Sequence, residues 1–317
     1  MKVVDGLKNL KKPIRGSVVT IGVFDCVHIG HNKIIDLVVS RARTLGLKSV
    51  VVTFDPHPAK VFSHRSSAPS LISLDHRERL IAERGVDILV VVKFTRRFAG
   101  VQAKDFLRDV VWRRLGAKII YAGRNFYFGR RAWAGSNELK MMAHPLGIKV
   151  VEVKPARVDG GVASSSLARE KISRGDLTGA SRILGRPVSV LGTVAGGSRL
   201  ARSLGYPTAN INPNHEAVPP SGVYAAMVRL GRKSYKGIVN IGVRPTFYAP
   251  RDRETSIEVH IFNFHGDIYG KDLEVLFIKK IRDEIRFSGR DELIQQIRRD
   301  ERAARKLLKK LAFTKRI

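Results

Sequence analysis

The chain contains the stretch Val23-Phe24-Asp25-Cys26-Val27-His28-Ile29-Gly30-His31, in which two histidines lie three residues apart around an Ile-Gly pair. An apolar, β-branched run at 17–22 precedes it, and apolar residues at helical spacing follow at about 31–45. This pattern predicts a turn from a strand into a helix. Backbone N–H groups and the positive end of the helix dipole meet at such a turn, which predicts a site for a phosphate or a similar anion.

Residues 17 to about 155 alternate between strand-like and helical patterns. Short apolar runs lie at 17–22, 48–54, 86–93, 117–122 and 148–153. Helical patterns lie between them, at about 31–45, 74–84, 102–115 and 136–146. Buried strands that alternate with helices predict an α/β domain with a Rossmann-like parallel sheet covered on both faces. Ligands bind at the carboxyl ends of such strands, so segments 23–31, 55–58 and 123–129 are predicted to share one rim.

The pattern changes from about residue 187. Shorter β-type segments, separated by Gly, Pro and Asn turns, lie at 188–194, 222–230, 235–241, 255–262 and 273–281. They predict an antiparallel barrel or sandwich, and a helix at about 290–311 closes the chain. The domain boundary is predicted near 184–187, which gives domains of 1–186 and 187–317.

Composition narrows the class of protein. The 317 residues favour two domains. No apolar run reaches the roughly 18 residues of a membrane span, and residues 1–15 do not resemble a secretory signal, so a cytoplasmic protein without membrane contact is expected. The single cysteine, Cys26, excludes an intramolecular disulfide.

The net charge of +30, from 58 Lys and Arg against 28 Asp and Glu, is unusual. It indicates either an anionic partner such as nucleic acid or a general basic bias. The basic residues are spread along the chain and are dense only in the predicted terminal helix, where their spacing suits one solvated face. This distribution favours the general bias, with incidental nucleic-acid binding as a side effect.

A strand–turn–helix unit bearing His-x-Gly-His resembles the nucleotidylyl transferase superfamily. Segments 22–31, 53–58 and 123–129 together resemble the adenylyltransferase half of bacterial bifunctional FAD synthetases. The resemblance implies that the phosphate of FMN attacks the α-phosphorus of ATP, forming FAD and releasing pyrophosphate. It implies that His28 and His31 stabilise the phosphates as catalytic residues. The turn residues Gly22, Phe24, Asp25 and Gly30 are expected to bind ATP, with Gly30 allowing the backbone to approach the nucleotide.

The same resemblance places flavin contacts on the later segments. It implies that Asn125 lies near the FMN phosphate and that the rings of Phe62 and Phe128 contact the flavin. Core packing is an open alternative for both rings, above all for Phe62. The motif Ser164-Ser165-Ser166 and Arg169 at a helix start are expected to bind the triphosphate of ATP. Cys26 stands where the family usually has Gly, and Ser166 where it has Thr.

Residues 187–311 resemble riboflavin kinase. The resemblance implies ATP contacts at Gly192, Gly197 and Pro207, with the glycines on a turn between strands, and Mg²⁺ held with ATP by Thr208 and Asn210. In segment 255–262, the period-2 alternation puts Ile257 and Val259 on one face and Glu258 on the other. Glu258 can therefore leave the core and reach a substrate hydroxyl, and the resemblance implies that it is the general base for the ribityl 5′-hydroxyl of riboflavin. Flavin-side contacts are implied at Arg282 and Phe287.

The sequence thus predicts a bifunctional enzyme that phosphorylates riboflavin to FMN with ATP·Mg²⁺ and adenylylates FMN to FAD. Two alternatives stay open. One is a riboflavin kinase whose adenylyltransferase half is weakened at Cys26 and Ser166. The other, from a different class, is a basic nucleic-acid-binding protein.

Overall fold

The computed structural model describes residues 1–62, 70–196, 206–213, 216–244 and 254–309. Contacts divide the chain into two compact units, one of residues 1–70 and 74–165 and the other of residues 71–73 and 166–317. The contacts thus group residues 166–186 with the second unit. The assignment of 1–186 and 187–317 as the two functional domains stays a prediction.

The first unit is built on a parallel sheet. Its strands are β1 (Lys2–Asp5), β2 (Ser17–Ile21), β3 (Lys48–Asp55), β4 (Ile88–Lys93), β5 (Ala117–Gly123) and β6 (Lys149–Val153). They lie in the order β1-β4-β3-β2-β5-β6, and every neighbouring pair is parallel. The predicted α/β fold is confirmed. Strand β1, which the sequence pattern did not reveal, adds an edge beside β4.

Helices connect these strands, as the apolar periodicity predicts. They are α1 (Ile29–Leu45), α2 (Pro58–Phe62), α3 (Leu74–Ala82), α4 (Arg96–Ala99), α5 (Ala103–Asp105) and α6 (Ser136–Ala143). Helix α5 continues into a π-helical segment, Phe106–Trp112. Short 3-10 helices lie at Leu7–Asn9, Arg130–Ala132 and His144–Leu146. Strands β7 (Arg157–Val158) and β8 (Gly161–Val162) form a small hairpin. Helix α1 buries Ile35, Val38 and Ala42 on one face. It ends at Gly46, whose left-handed φ of 63° suits glycine.

The strand order brings the predicted segments to one rim. Strands β3, β2 and β5 are neighbours and parallel, so the segments that follow them leave from the same edge of the sheet. The Thr53 hydroxyl donates a hydrogen bond of 2.9 Å to the carbonyl of Val23, which ties two of these segments together.

The second unit contains a closed antiparallel barrel. Helices α7 (Ser165–Ser173) and α8 (Leu177–Leu184) precede it in the chain. The strands are β9 (Val188–Ala195), β10 (Ala209–Asn212), β11 (Gly222–Leu230), β12 (Lys233–Arg244), β13 (Glu254–Ile261) and β14 (Asp272–Arg282). They close in the order β10-β13-β12-β11-β14-β9. The terminal helix α9 (Arg290–Lys309) packs on the barrel and buries Ala304 and Leu308.

Gly192 lies inside β9, so its predicted place on a turn between strands was wrong. A Cβ atom there would lie 2.1 Å from the carbonyl oxygen of Asn212 on β10. Glycine is needed at this position because two paired strands approach each other closely. Gly197, the second glycine predicted to bind ATP, lies outside the described residues.

Candidate active sites

His28 caps the first helix. Its Nδ1 accepts hydrogen bonds from the backbone N–H groups of Gly30, at 3.0 Å, and His31, at 3.3 Å. The sequence pattern suggested that such N–H groups face a bound anion directly. The structure shows instead that these two are engaged by an imidazole, which fixes the orientation of the His28 ring.

Gly30 is required by that cap. A Cβ atom at Gly30 would lie 2.9 Å from Cε1 and 3.1 Å from Nδ1 of His28. This contact within the chain is one reason for glycine, and the predicted close approach of the backbone to a nucleotide stays a prediction. A side chain at Gly30 pushes the His28 ring out of its capping position.

The two histidines form a stacked pair. Their ring centroids are 3.7 Å apart with planes 16° from parallel, and the ring of Phe24 meets His31 edge-on at 5.1 Å. Burial lowers the pKa of His31 well below its usual 6.5, and the charges of His28 and Arg77 add to this effect. His31 is therefore neutral at pH 7, and a neutral imidazole donates a single hydrogen bond.

The turn before α1 has an unusual backbone. Phe24 and Val27 take left-handed φ angles of 50° and 46°, which cost roughly 1–3 kcal/mol each for residues other than glycine. Gly22 accommodates this turn, because a Cβ there would lie 3.1 Å from the Phe24 ring. Asp25 and Cys26 are buried within it. Strain of this kind persists where the surrounding packing holds a site in shape.

Arg77 is a buried charge beside this turn that was not predicted from the sequence. It is 1% exposed and donates from Nη1 to the Thr53 hydroxyl at 3.1 Å and to the Phe54 carbonyl at 3.0 Å. Burial lowers the pKa of Arg77, while the carboxylates of Asp25 and Asp55 act to raise it. A signal was present, because Arg77 lies three and four residues before the buried Leu80 and Ile81 and so shares their helix face.

Cys26 connects the turn to the start of α7. Its sulfur lies 3.4 Å from the hydroxyl of Ser165, within hydrogen-bonding distance. Ser164 immediately precedes the helix, and Ser166 and Arg169 follow within its first turns. The predicted contacts of the three serines and Arg169 with ATP stay predictions.

The three predicted flavin contacts of the first unit differ in exposure. Phe62, at the end of α2, is 60% exposed, which excludes the core-packing alternative for this ring. Asn125 is exposed after β5. Phe128 is buried and stacks on Phe126 at 5.3 Å, so its core-packing alternative fits the structure. Binding of flavin by all three residues stays a prediction.

In the barrel, Glu258 lies between two asparagines. Across the ladder it faces Asn210 of β10 on one side and Asn240 of β12 on the other. Ile257 and Val259 are buried at 0% and 1% exposure, whereas Glu258 is half-buried. The predicted alternation is therefore confirmed, and the carboxylate leaves the apolar interior. The sequence does not show that Asn240 faces Glu258, because strand register joins residues far apart in the chain.

The segment before β10 is held by His260. Its Nδ1 lies 2.9 Å from the carbonyl oxygen of Pro207, and its ring meets Tyr206 edge-on at 5.4 Å. Thr208 comes two residues before Asn210, and both are half-buried. His260 shares a face with Glu258, so this side of β13 supports the predicted metal-binding segment directly.

Arg282 forms a buried ion pair with the terminal helix. Its Nη2 lies 2.8 Å from Asp300, which is 4% exposed, and its Nε donates to both oxygens of that carboxylate. The guanidinium also lies over the Phe287 ring, 5.7 Å from its centre. The structure thus gives Arg282 a role in anchoring α9, and the predicted flavin contacts of Arg282 and Phe287 stay predictions.

Comparisons with known proteins find a matching family for each half of the chain. A family model described as FAD synthetase matches residues 10–167, and one described as riboflavin kinase matches residues 184–308. None of the helices in the described parts of the chain is long and apolar enough to cross a membrane.

Relatives match along nearly the whole chain. The bifunctional riboflavin kinase/FMN adenylyltransferase of Pseudomonas fluorescens is 36% identical over 97% of this chain and 98% of its own. The proteins of that name from Escherichia coli K12 and Bacillus subtilis 168 are also 36% identical, over 96% and 93% of this chain and 97% and 93% of their own. These names give no support to the nucleic-acid-binding alternative.

A solved structure shares the fold. A crystal structure described as a macrolide-efflux protein from Streptococcus pneumoniae superposes with a TM-score of 0.83 and 30% identity, covering 96% of this chain and 99% of that one. Its description names a different activity, so it contributes the fold, and the family follows from the models and relatives. The chain belongs to the family of bifunctional riboflavin kinase/FMN adenylyltransferases.

Proposed function

We propose that the barrel unit phosphorylates riboflavin to FMN and that the α/β unit adenylylates FMN to FAD, through the residues predicted above. The observation that carries the proposal is the presence of two separate arrangements in one chain. One is the His28–His31 pair at a strand-to-helix turn. The other is Glu258 beside Asn210 on the barrel.

In the kinase reaction, Glu258 takes the proton of the ribityl 5′-hydroxyl as that oxygen attacks the γ-phosphorus of ATP. ADP leaves, and FMN is formed. The donor set of Thr208 and Asn210 fits Mg²⁺, because both supply hard, neutral oxygens and Asn210 lies opposite the Glu258 carboxylate. When bound, Mg²⁺ neutralises phosphate charge. Pro207, held by His260, positions this segment.

In the adenylyltransferase reaction, a phosphate oxygen of FMN attacks the α-phosphorus of ATP, and pyrophosphate leaves. No nucleophile from the protein is needed. His28 and His31 donate hydrogen bonds to phosphate oxygens as negative charge spreads over them in the transition state. The stack and the cap hold both rings in place before ATP binds, which reduces reorganisation during the reaction.

Product analysis tests this proposal. The full chain is incubated with riboflavin, ATP and Mg²⁺, and flavins are separated by chromatography. FMN followed by FAD is the expected result, and the variant His31→Ala is expected to stop at FMN. Accumulation of FMN without FAD in the unmodified chain would contradict the adenylyltransferase half. It would support the alternative of a kinase weakened at Cys26 and Ser166.

A further inference from the structure

The turn before α1 brings together three potential metal ligands, of which Cys26 has no part in the proposed phosphate chemistry. Cys26, His28 and His31 bring one sulfur and two imidazole nitrogens within 4.8 Å of one another. Cys26 and His28 are buried, at 1% and 7% exposure. Among the described residues, Nδ1 of His31 is buried and has no hydrogen-bond partner.

We propose that Cys26, His28 and His31 bind a thiophilic divalent cation of the Zn²⁺ class, and that its binding blocks the adenylyltransferase site. A thiolate and two neutral imidazoles are the ligands that Zn²⁺ prefers. Three protein ligands leave the fourth tetrahedral position open to water or to a phosphate oxygen. The blocking effect rests on the proposed function, whereas the binding itself does not.

The spacing of the three ligand atoms is close to that of a zinc site. Ligand atoms of tetrahedral Zn²⁺ lie roughly 3.5 Å apart, so atoms that all lie within 4.8 Å of one another need to approach by no more than about 1.3 Å. Left-handed Val27 turns the chain sharply between Cys26 and His28 and thereby brings them together. Side-chain rotation covers the remaining distance.

When a metal ion binds, the two histidines lose contacts that they make in the metal-free protein. The ligand lone pair of imidazole lies in the ring plane, so two rings stacked at 3.7 Å cannot both point at one ion without turning. Turning the His28 ring breaks the hydrogen bonds that its Nδ1 accepts from Gly30 and His31. The Cys26 thiol loses its proton to solvent as the metal–sulfur bond forms. An ion therefore holds both histidines away from the orientation proposed for binding ATP.

Charged and polar groups lie near the three ligands. Two carboxylates, Asp25 and Asp55, lie close enough to Arg77 to affect its pKa, and Cys26 does the same. These carboxylates offset the charge of Arg77, the cation that also helps to lower the pKa of His31. The hydroxyl of Ser165, 3.4 Å from the Cys26 sulfur, is placed to donate a hydrogen bond to the thiolate.

Binding is tested with Co²⁺ as a spectroscopic probe on the metal-free full chain. The expected result is one bound Co²⁺ with visible bands of tetrahedral geometry and a near-ultraviolet thiolate-to-cobalt band, all abolished by Zn²⁺. Cys26→Ser is expected to lose the thiolate band and to weaken Zn²⁺ binding at least tenfold. His144→Ala, at an exposed histidine of the same unit, is the matched control and is expected to bind Zn²⁺ like the unmodified chain.

A spectrum without the thiolate band, or unchanged Zn²⁺ affinity in Cys26→Ser, would overturn the proposed site. The blocking effect is tested by FAD formation from FMN, at buffered free Zn²⁺ and excess Mg²⁺. FAD formation is expected to fall at least tenfold in the unmodified chain and to persist in Cys26→Ser, with riboflavin phosphorylation as the internal control. Equal FAD formation with the site saturated would overturn the blocking effect. Absence of FAD formation without Zn²⁺ would contradict the proposed function instead, and the Co²⁺ spectrum would still decide the metal site.

Discussion

Asn210 and Glu258 lie directly opposite each other on neighbouring antiparallel strands of the barrel. Residues paired in this way have Cβ atoms about 5 Å apart, so their side chains project side by side from one face. The predicted metal ligand and the predicted base are thus positioned by backbone hydrogen bonds of a closed sheet. A rigid strand pair fixes both groups more firmly than a loop would.

Glu258→Gln is expected to reduce riboflavin phosphorylation by about 10²–10⁴-fold, because an amide cannot take the hydroxyl proton. FAD formation from supplied FMN is expected to continue at the unmodified rate. Both reactions are measured on the same preparation. The matched control is Asp291→Asn, at the exposed start of α9, which should leave both rates unchanged. Equal loss of the two reactions would contradict the assignment of Glu258 to the kinase.

Asn210→Ala is expected to raise the Mg²⁺ concentration needed for half-maximal riboflavin phosphorylation about tenfold, equivalent to about 1.4 kcal/mol. The reason is the loss of one oxygen ligand. The measurement is the kinase rate against free Mg²⁺ at fixed ATP. Asn212→Ala, at the exposed end of the same strand, serves as the control. A lower maximal rate with an unchanged Mg²⁺ midpoint would argue against metal binding by Asn210.

Gly30→Ala tests whether the capping geometry of His28 supports adenylyl transfer. The new methyl group would lie 2.9 Å from the His28 ring and displace it, which removes the cap and costs about 1 kcal/mol of stability. FAD formation from FMN is expected to fall at least tenfold, while riboflavin phosphorylation is retained. Gly161→Ala is the control, because a Cβ there meets its nearest neighbour at an ordinary 3.7 Å. Full adenylyltransferase activity in Gly30→Ala would show that the cap is dispensable.

The sequence predicted the elements whose patterns are local. The apolar runs of β2, β3 and β5, and the helical spacing in α1 that buries Ile35 and Val38, depend only on near neighbours. The side of β13 on which Glu258 lies also follows from simple alternation. For the same reason, both histidines could be placed at the start of a helix without knowledge of the rest of the fold.

Features created by contacts distant in the chain could not be predicted in this way. Strand β1 has one buried residue, Val4, and shows no pattern until it pairs with β4. Gly192 looked like a turn residue because the approach of Asn212 depends on barrel closure. The burial of Arg77 likewise depends on Thr53 and Phe54, which belong to a strand more than twenty residues away.

The pKa of His31 predicts a pH dependence of stability. The unfolded chain has a histidine pKa near 6.5, while burial keeps the pKa of folded His31 well below that value. Between the two values the unfolded chain binds more protons, so the free energy of unfolding falls as pH drops below about 6.5. A difference of one bound proton changes the free energy of unfolding by at most about 1.4 kcal/mol per pH unit. Denaturant unfolding is measured at pH 7.5 and 5.5. The free energy of unfolding is expected to fall less between these pH values in His31→Gln than in the unmodified chain. An equal fall in both proteins would contradict the assignment of this pH dependence to His31.

Asp300→Ala is expected to destabilise the barrel unit by about 3–5 kcal/mol, because it leaves the guanidinium of Arg282 half-buried without its carboxylate. Gln296 loses its hydrogen bond to Asp300 as well. Glu301→Ala breaks the more exposed pair with Arg305 on the same helix and is expected to cost less than about 1 kcal/mol. Chemical denaturation of both variants measures the difference. Similar small losses would show that the Arg282–Asp300 pair does not anchor α9, and would leave Arg282 available for the predicted flavin contact.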